Sequence, residues 1–286
     1  MPHITVKRLA NALGAEVSGV DLRNPLPEPV VAEIRQAWLD HVILLFRGEP
    51  LTHEQHIAFS RQLGALETHD AIPKFRHPDH HEILLVTNFE NTGKRLIVGR
   101  QWHSDLSTLV QPAMGSLLHC HVAPPVGGDT MFANMYRAWD NLSPAFQDML
   151  RDRWALHDMS VAKETRARRT PEELAALRQK NPPVWQPVAR RHEETGRLAL
   201  YVSEMTTTRL EGLTEEESAP ILQYLFQQSV LPENTYRHRW QPGDLILWDN
   251  RCAMHMALSD YDENERRVMY RTTLLGVPTG RVAEAA

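Results

Sequence analysis

Short apolar runs of β-favouring residues recur along the whole chain, and they never settle into a regular alternation with helices. His41-Val42-Ile43-Leu44-Leu45-Phe46, closed by Arg47-Gly48, reads as a buried strand. The segments 4–9, 15–20, 83–87, 114–122, 130–134, 197–202, 244–248 and 268–275 read as further strands. Turn signals stand between them, notably Asn91-Thr92-Gly93-Lys94 and Pro124-Pro125-Val126-Gly127-Gly128. Helices are isolated. One is expected over 28–40, opened by Pro27-Glu28-Pro29, with Val30, Val31, Ile34, Ala37 and Trp38 on one side. Another follows Thr52-His53-Glu54-Gln55, a capping-box pattern, and runs to about Leu63. Two more are expected near 136–150 and 214–228. A series of βαβ units would need a helix after each strand, so a doubly wound sheet is set aside. The pattern predicts a mainly β sandwich or jelly roll with peripheral helices. One domain over 1–286 is expected. Lid-like insertions are expected near 70–100, rich in histidine, and 160–183, charged and carrying Pro171, Pro182 and Pro183.

Composition narrows the class. Of the 286 residues, 42% are hydrophobic and 23% charged, an ordinary globular balance. The net charge of -5, with no basic stripe, argues against a nucleic-acid partner. Cys120 and Cys252 are the only cysteines and form no CxxC pair. A reducing cytoplasm is therefore the expected home. The opening Met1-Pro2-His3-Ile4-Thr5 has no secretory pattern, and no apolar run of 18 residues suggests a membrane span.

His103-Ser104-Asp105, with His255 far downstream and Arg267 after it, carries the chemistry. Two imidazoles and one carboxylate can occupy one face of an octahedral Fe(II) ion and leave the opposite face open. On a strand, residues two apart share a side, so His103 and Asp105 are expected to reach one ion together. A second His-x-Asp, His77-Pro78-Asp79, has proline at its centre and reads as a turn. Blander readings stand beside these. His103 could be a buried histidine bonded to Asp105, and His255 a satisfied core histidine. Arg267 could be a solvated arginine, as Arg266 is expected to be.

Several linked motifs resemble the taurine/2,4-dichlorophenoxyacetate dioxygenase family, which uses Fe(II) and 2-oxoglutarate. They are Gly14-Ala15-Glu16-Val17-Ser18-Gly19-Val20-Asp21-Leu22, Trp102-His103-Ser104-Asp105 and Pro124-Pro125-Val126-Gly127-Gly128-Asp129-Thr130. Further along come Arg237-His238-Arg239-Trp240-Gln241-Pro242-Gly243-Asp244, Trp248-Asp249-Asn250-Arg251 through His255, and Arg266-Arg267-x-Met269-x-Arg271. The resemblance spans nearly the whole chain and implies a double-stranded β-helix, the cupin-like jelly roll. It implies that His103, Asp105 and His255 hold Fe(II), and that Thr130 and Arg267 bind the distal carboxylate of 2-oxoglutarate. An arginine suits that task because its planar fork makes two parallel bonds to a carboxylate. The implied reaction consumes O2 and 2-oxoglutarate, releases succinate and CO2, and hydroxylates a substrate C–H bond. Asp105 implies hydroxylation, because related halogenases lack that carboxylate.

The resemblance also implies a substrate pocket. Arg271 matches an arginine that binds the sulfonate in taurine-type members, and His69 matches a histidine that assists it. An internal ion pair for Arg271 and a solvated loop for His69 are the alternatives. Ile72 and Thr206 stand where taurine enzymes carry aromatic side chains, which leaves room for a larger organic tail. The segment 91–99 resembles the aryloxypropionate-cleaving branch at least as well. The expected partner is a small anionic organic substrate, an alkylsulfonate such as taurine or an aryloxyalkanoate, with C–S or C–O cleavage following hydroxylation. No membrane partner is expected, and a homo-oligomer is. Two alternatives remain open: a hydroxylase or desaturase of a biosynthetic intermediate, and a non-catalytic jelly roll that binds a metal or an anion.

Overall fold

Strands buried on both faces have no reason to alternate apolar and polar residues, and the two most apolar runs of the chain are such strands. Ile43–Phe46 pairs antiparallel with Leu245–Asp249, which pairs in turn with Ala113–Val122. Ile43, Leu45, Ile246 and Trp248 face one core; Leu44, Phe46, Leu245 and Leu247 face another. The structure, a computed structural model, describes residues 2–70, 73–88, 99–262 and 264–284. These three strands are the middle of a seven-stranded sheet that Thr5–Arg8, Ala15–Ser18, Val268–Leu275 and Leu84–Thr87 complete. All its pairings are antiparallel except that of Ala15–Ser18 with Ile43–Phe46.

Helices Glu28–His41 and His53–Leu63 cover one face of this sheet. The first buries Val30, Ile34, Ala37 and Trp38, a stripe at helical spacing. The second begins with the expected capping box, in which Thr52 and Gln55 exchange side-chain to backbone bonds. Trp38 lies against Gly115: a Cβ there would be 2.6 Å from the indole ring, so only glycine lets the helix close on the sheet. On the opposite face sits a three-stranded sheet in the order Thr235–His238, Thr130–Asn134, Ala253–Ala257. Its Phe132 meets Trp248 of the large sheet, ring centroids 5.7 Å apart. The result is the jelly roll expected from the strand pattern.

Several details differ from expectation. The helix expected near 136–150 is two, Met135–Asp140 and Pro144–Leu150, because Asn134 and Ser143 each cap a new start and Pro144 cannot continue an older one. The strands Trp154–His157, Val184–Pro187, Ala189–Arg191, Thr207–Leu210, Thr235–His238, Ala253–Ala257 and Arg281–Val282 carry too few residues to display a period, and none was expected. The expected excursion at 160–183 holds two helices, Lys163–Arg166 and Pro171–Lys180. Glu164 accepts bonds from the backbone amides of Gly99 and Arg100 at 3.2 and 3.0 Å. The expected turn at 91–94 lies outside the described residues, as do residues 71, 72 and 89–98 of the first insertion.

A group of histidines packs between the large sheet and the second helix. His53 lies 4.7 Å from His77 and 5.3 Å from His80, ring centre to ring centre, and 4.5 Å from Tyr270. The amide of Leu51 donates to His119 Nε2 at 3.2 Å, so His119 carries its proton on Nδ1 and donates it to His121 Nε2 at 3.1 Å. His77 Nδ1 accepts from the amides of Asp79 and His80, both at 3.2 Å. Three imidazole lone pairs are thus occupied, and protonating any of these rings breaks a bond. Burial lowers the pKa of His53, His56, His77 and His121 and pushes that of His119 down to about 3.

These imidazoles protonate more readily in the unfolded chain, near 6.5. As pH falls below 6.5 the unfolded state binds the extra protons and the fold loses stability, down to about 3 for His119. At pH 5.5 the loss is about 1.4 kcal/mol for His119 alone. Thermal unfolding should therefore occur at a lower temperature at pH 5.5 than at pH 7.5. Equal midpoints at the two values would refute the linkage.

Candidate active site

Strand Ala253–Ala257 lies against Thr130–Asn134, with His255 opposite Phe132. On its free side His255 makes one antiparallel pair with His103. The amide of His103 donates to the His255 carbonyl at 3.1 Å, and the amide of His255 returns a bond of 2.9 Å. The two imidazoles stand side by side, centroids 4.2 Å apart. Pairing then stops. Ser104 Oγ donates to the carbonyl of Ala253 at 2.8 Å, the amide of Asp105 donates to Asn250 Oδ1 at 3.1 Å, and Leu106 turns the chain at φ 56°. The expectation that a regular strand aligns His103 with Asp105 is corrected here. His103 is a single bridge, and Asp105 comes back to it through a turn, because side chains take the polar groups a ladder would have used.

One ligand atom each from His103, Asp105 and His255 lies within 4.8 Å of the other two. His103 Nε2 is 3.9 Å from Asp105 Oδ1. His103 Nδ1 is 2.7 Å from the carbonyl of Gln101, which only accepts, so Nδ1 carries a proton and Nε2 is the ring nitrogen turned toward Asp105. Gly99, at φ 77°, backs onto this ring: a Cβ there would press on His103 Cε1 at 3.2 Å. His255 is buried, and its Nδ1 has no hydrogen-bond partner among the described residues. Burial, and then the neighbouring His103, hold its pKa well below the ordinary range, so it stays neutral and ready to ligate. Burial would raise the pKa of Asp105, but Arg271, His255 and His103 outweigh it and the carboxylate stays ionised. Two imidazoles and a carboxylate that converge on one point fit a catalytic divalent iron and leave coordination positions free.

Thr130 and His255 are diagonal neighbours across the strand pair, about 7–8 Å apart. Arg267 is buried beside Thr130. Its Nε donates to the carbonyl of Gly128 at 2.9 Å and its Nη2 to Thr130 Oγ1 at 3.3 Å. Trp240 Nε1 also donates to Thr130 Oγ1, at 2.9 Å. The Arg267 backbone is gripped by Asn88, whose Oδ1 accepts its amide at 2.8 Å. The neighbouring Asp129 is held by Arg237 at 2.6 Å, and among the described residues no carboxylate pairs with Arg267. Burial lowers the pKa of this guanidinium for want of an anion beside it. Arg266 is exposed, as expected.

Arg271 donates to Asp105 Oδ1 at 2.6 Å, the internal ion pair weighed above, while its buried Nε has no partner among the described residues. His69 does not sit in a solvated loop. It is 2% exposed at φ 55°, and burial and then Arg271 push its pKa down to about 4. Thr206 is buried in a polar group with Ser203 Oγ at 3.0 Å, Ser107 Oγ at 3.3 Å and His157 Nδ1 at 3.3 Å. Ile72 lies outside the described residues. A second cluster, His192, Asp249 and Cys252, is buried as well. There Arg251 grips Asp249 at 2.8 and 2.7 Å, His192 lies 3.0 Å from the same carboxylate, and burial raises the Cys252 thiol, so the group is an ion-pair network.

The profile of the family described as "Taurine catabolism dioxygenase TauD, TfdA family" matches residues 5–273. The chain belongs to the TauD/TfdA family of Fe(II)- and 2-oxoglutarate-dependent dioxygenases. It is 34% identical to the alpha-ketoglutarate-dependent 2,4-dichlorophenoxyacetate dioxygenase of Cupriavidus pinatubonensis, over 91% of this chain and 94% of that one. It is 31% identical to the (S)-phenoxypropionate/alpha-ketoglutarate-dioxygenase of Sphingobium herbicidovorans, over 99% of both. The crystal structure of a taurine dioxygenase from Burkholderia xenovorans superposes with a TM-score of 0.84 at 31% identity, covering 100% of this chain and 96% of that one. The jelly roll is thus the TauD-like double-stranded β-helix, and the enzyme class and its use of Fe(II) and 2-oxoglutarate follow from membership. No described helix is long and apolar enough to cross a membrane. Asn250, Ser116, Asn88 and Trp240 were not expected as site residues. Asn250 and Trp240 lie inside motifs quoted above, and Ser116 and Asn88 had no sequence signal.

Proposed function

We propose that this TauD/TfdA-family dioxygenase hydroxylates a C–H bond of a small anionic organic substrate, an alkylsulfonate such as taurine or an aryloxyalkanoate. In this reading His103, Asp105 and His255 hold Fe(II), and Arg267 with Thr130 takes the distal carboxylate of 2-oxoglutarate. Arg271, assisted by His69, takes the substrate anion. The observation that carries the reading is the buried Arg267 guanidinium, which has no carboxylate partner among the described residues, one strand-diagonal from the His-Asp-His group. A buried cation needs an anion, and a five-carbon diacid can bridge that interval. The iron, with 2-oxoglutarate and O2, supplies the oxidising power for C–H hydroxylation. The chain's own groups orient the reactants. Gln101 holds the His103 ring by its Nδ1–H, Asn88 fixes the Arg267 backbone, and Trp240 and Arg267 both donate to the Thr130 hydroxyl. Supporting the substrate class are the relatives named for aryloxyalkanoates and taurine, and a cation, Arg271, beside the Asp105 carboxylate.

Substrate-dependent succinate release across a panel of sulfonates, aryloxyalkanoates and sulfate esters tests the substrate class; release with none of them would refute it. Arg267→Ala should raise the 2-oxoglutarate requirement sharply, by about 2–5 kcal/mol of lost binding, because a desolvated charge loses its partner. The exposed Arg266→Ala serves as control and should change little. The reverse order in the two KM values would refute the assignment.

Arg271→Leu keeps bulk and removes the cation. It should weaken the organic substrate far more than 2-oxoglutarate, with uncoupled succinate formation surviving. Loss of 2-oxoglutarate binding instead, with neutral and anionic substrate analogues handled alike, would make Arg271 structural.

A further inference from the structure

Ser116 lies on strand Ala113–Val122, fully buried, between Gly115 and Leu117. Its hydroxyl donates to Asp105 Oδ2 at 2.7 Å, since an ionised carboxylate can only accept. Ser116 Oγ in turn accepts from Asn250 Nδ2 at 2.9 Å. Asn250 Oδ1 accepts from Trp248 Nε1 at 2.9 Å and from the amide of Asp105 at 3.1 Å, which fixes the orientation of the Asn250 side chain. The bonds close a ring: Asp105 amide to Asn250, Asn250 to Ser116, Ser116 to the Asp105 carboxylate. The amide of Asn250 donates to the carbonyl of Met114 at 3.0 Å and ties it to the strand that carries Ser116. Asp105 is 4% exposed and Asn250 and Ser116 are both 0% exposed, so no water competes for these bonds.

We propose that Ser116, braced by Asn250, is a positioning residue that selects which oxygen of Asp105 serves the metal. The proposal rests on the iron reading above. With Oδ2 occupied by Ser116, Oδ1 is the oxygen that faces His103 Nε2, 3.9 Å away, and Arg271. A carboxylate freed from Ser116 can turn about its Cβ–Cγ bond and offer both oxygens. Two-point ligation would take one of the positions that 2-oxoglutarate and O2 require. A hydroxyl bond to a buried carboxylate is strong enough to hold the rotor, because the acceptor is charged and dry.

The test uses the full chain and Co(II) as a stand-in for Fe(II), with affinity and visible absorption read by titration without O2. Ser116→Ala should bind Co(II) about 10–100-fold more weakly, the usual cost of losing a group that orients a ligand, and its absorption bands should shift. Thr273→Val is the control. Thr273 sits opposite Ser116 in the next strand, is buried, and its hydroxyl has no partner among the described residues, so it should stay within about twofold of the parent. Co(II) affinity and bands of Ser116→Ala matching the parent would overturn the positioning role. An equal loss in Thr273→Val would overturn it too, since general loosening of the sheet would explain both. If the parent takes up no Co(II), or Asp105→Ala takes it up equally well, the iron reading itself falls and the proposal falls with it.

Discussion

Two backbone hydrogen bonds between His103 and His255 hold the site together. They join a connection that has left every sheet to the edge of the three-stranded sheet. A directly paired couple brings its side chains to the same side, so both imidazoles reach one point. Everything else about the metal group is a consequence of where the chain goes next. The polar groups of Ser104 and Asp105 find Ala253 and Asn250, the turn at Leu106 follows, and the carboxylate is carried back beside the rings.

Charge in this region is arranged by burial more than by ion pairs at the surface. Among the described residues Arg267 loses water without gaining a carboxylate, and its side-chain bonds go to neutral oxygens of Gly128 and Thr130. Arg271 and Asp105 satisfy each other, while Ser116 shares the load on the second oxygen. His69, His255 and His157 are all depressed by desolvation, His157 to about 4, so near neutral pH they act as uncharged polar groups. Among the described residues this region holds one cation with no carboxylate, one cation already engaged, and imidazoles that burial keeps neutral.

The parts of this molecule that a sequence discloses are those with a local physical rule behind them. Strand Val268–Leu275 coincides with its expected bounds, Ala113–Val122 starts one residue early and Leu245–Asp249 is shifted by one residue at both ends, because apolar runs buried on both sides cannot be confused with loop. Both bonds of the capping box at Thr52 form because the pattern and the geometry are the same fact. Ala253–Ala257 was hidden: Met254 and His255 carry no alternation, and the strand exists only because Thr130–Asn134 supplies its partner. The His-x-Asp pair was found for a reason that does not hold, since the two residues share a side through a turn. Ser116 could not be found from its neighbours, because its role depends on Asp105 and Asn250, eleven and 134 residues away.

The same distinction separates cofactor from substrate. His255, Thr130 and Arg267 sit on or beside strands whose register is set by core packing, so motifs that mark those strands also mark the residues proposed for iron and 2-oxoglutarate. His69 and Thr206 stand on connections, the first after helix His53–Leu63 and the second between Leu198–Leu200 and Thr207–Leu210. A connection can shift by a residue without disturbing the core, and its side chains answer to the molecule they meet. Thr206 illustrates the point. Its hydroxyl is spent on Ser203, Ser107 and His157, so the wall it forms is set by a buried polar group drawn from three separate segments. Ser107 and His157 are therefore expected to move whenever Thr206 is replaced by a larger side chain.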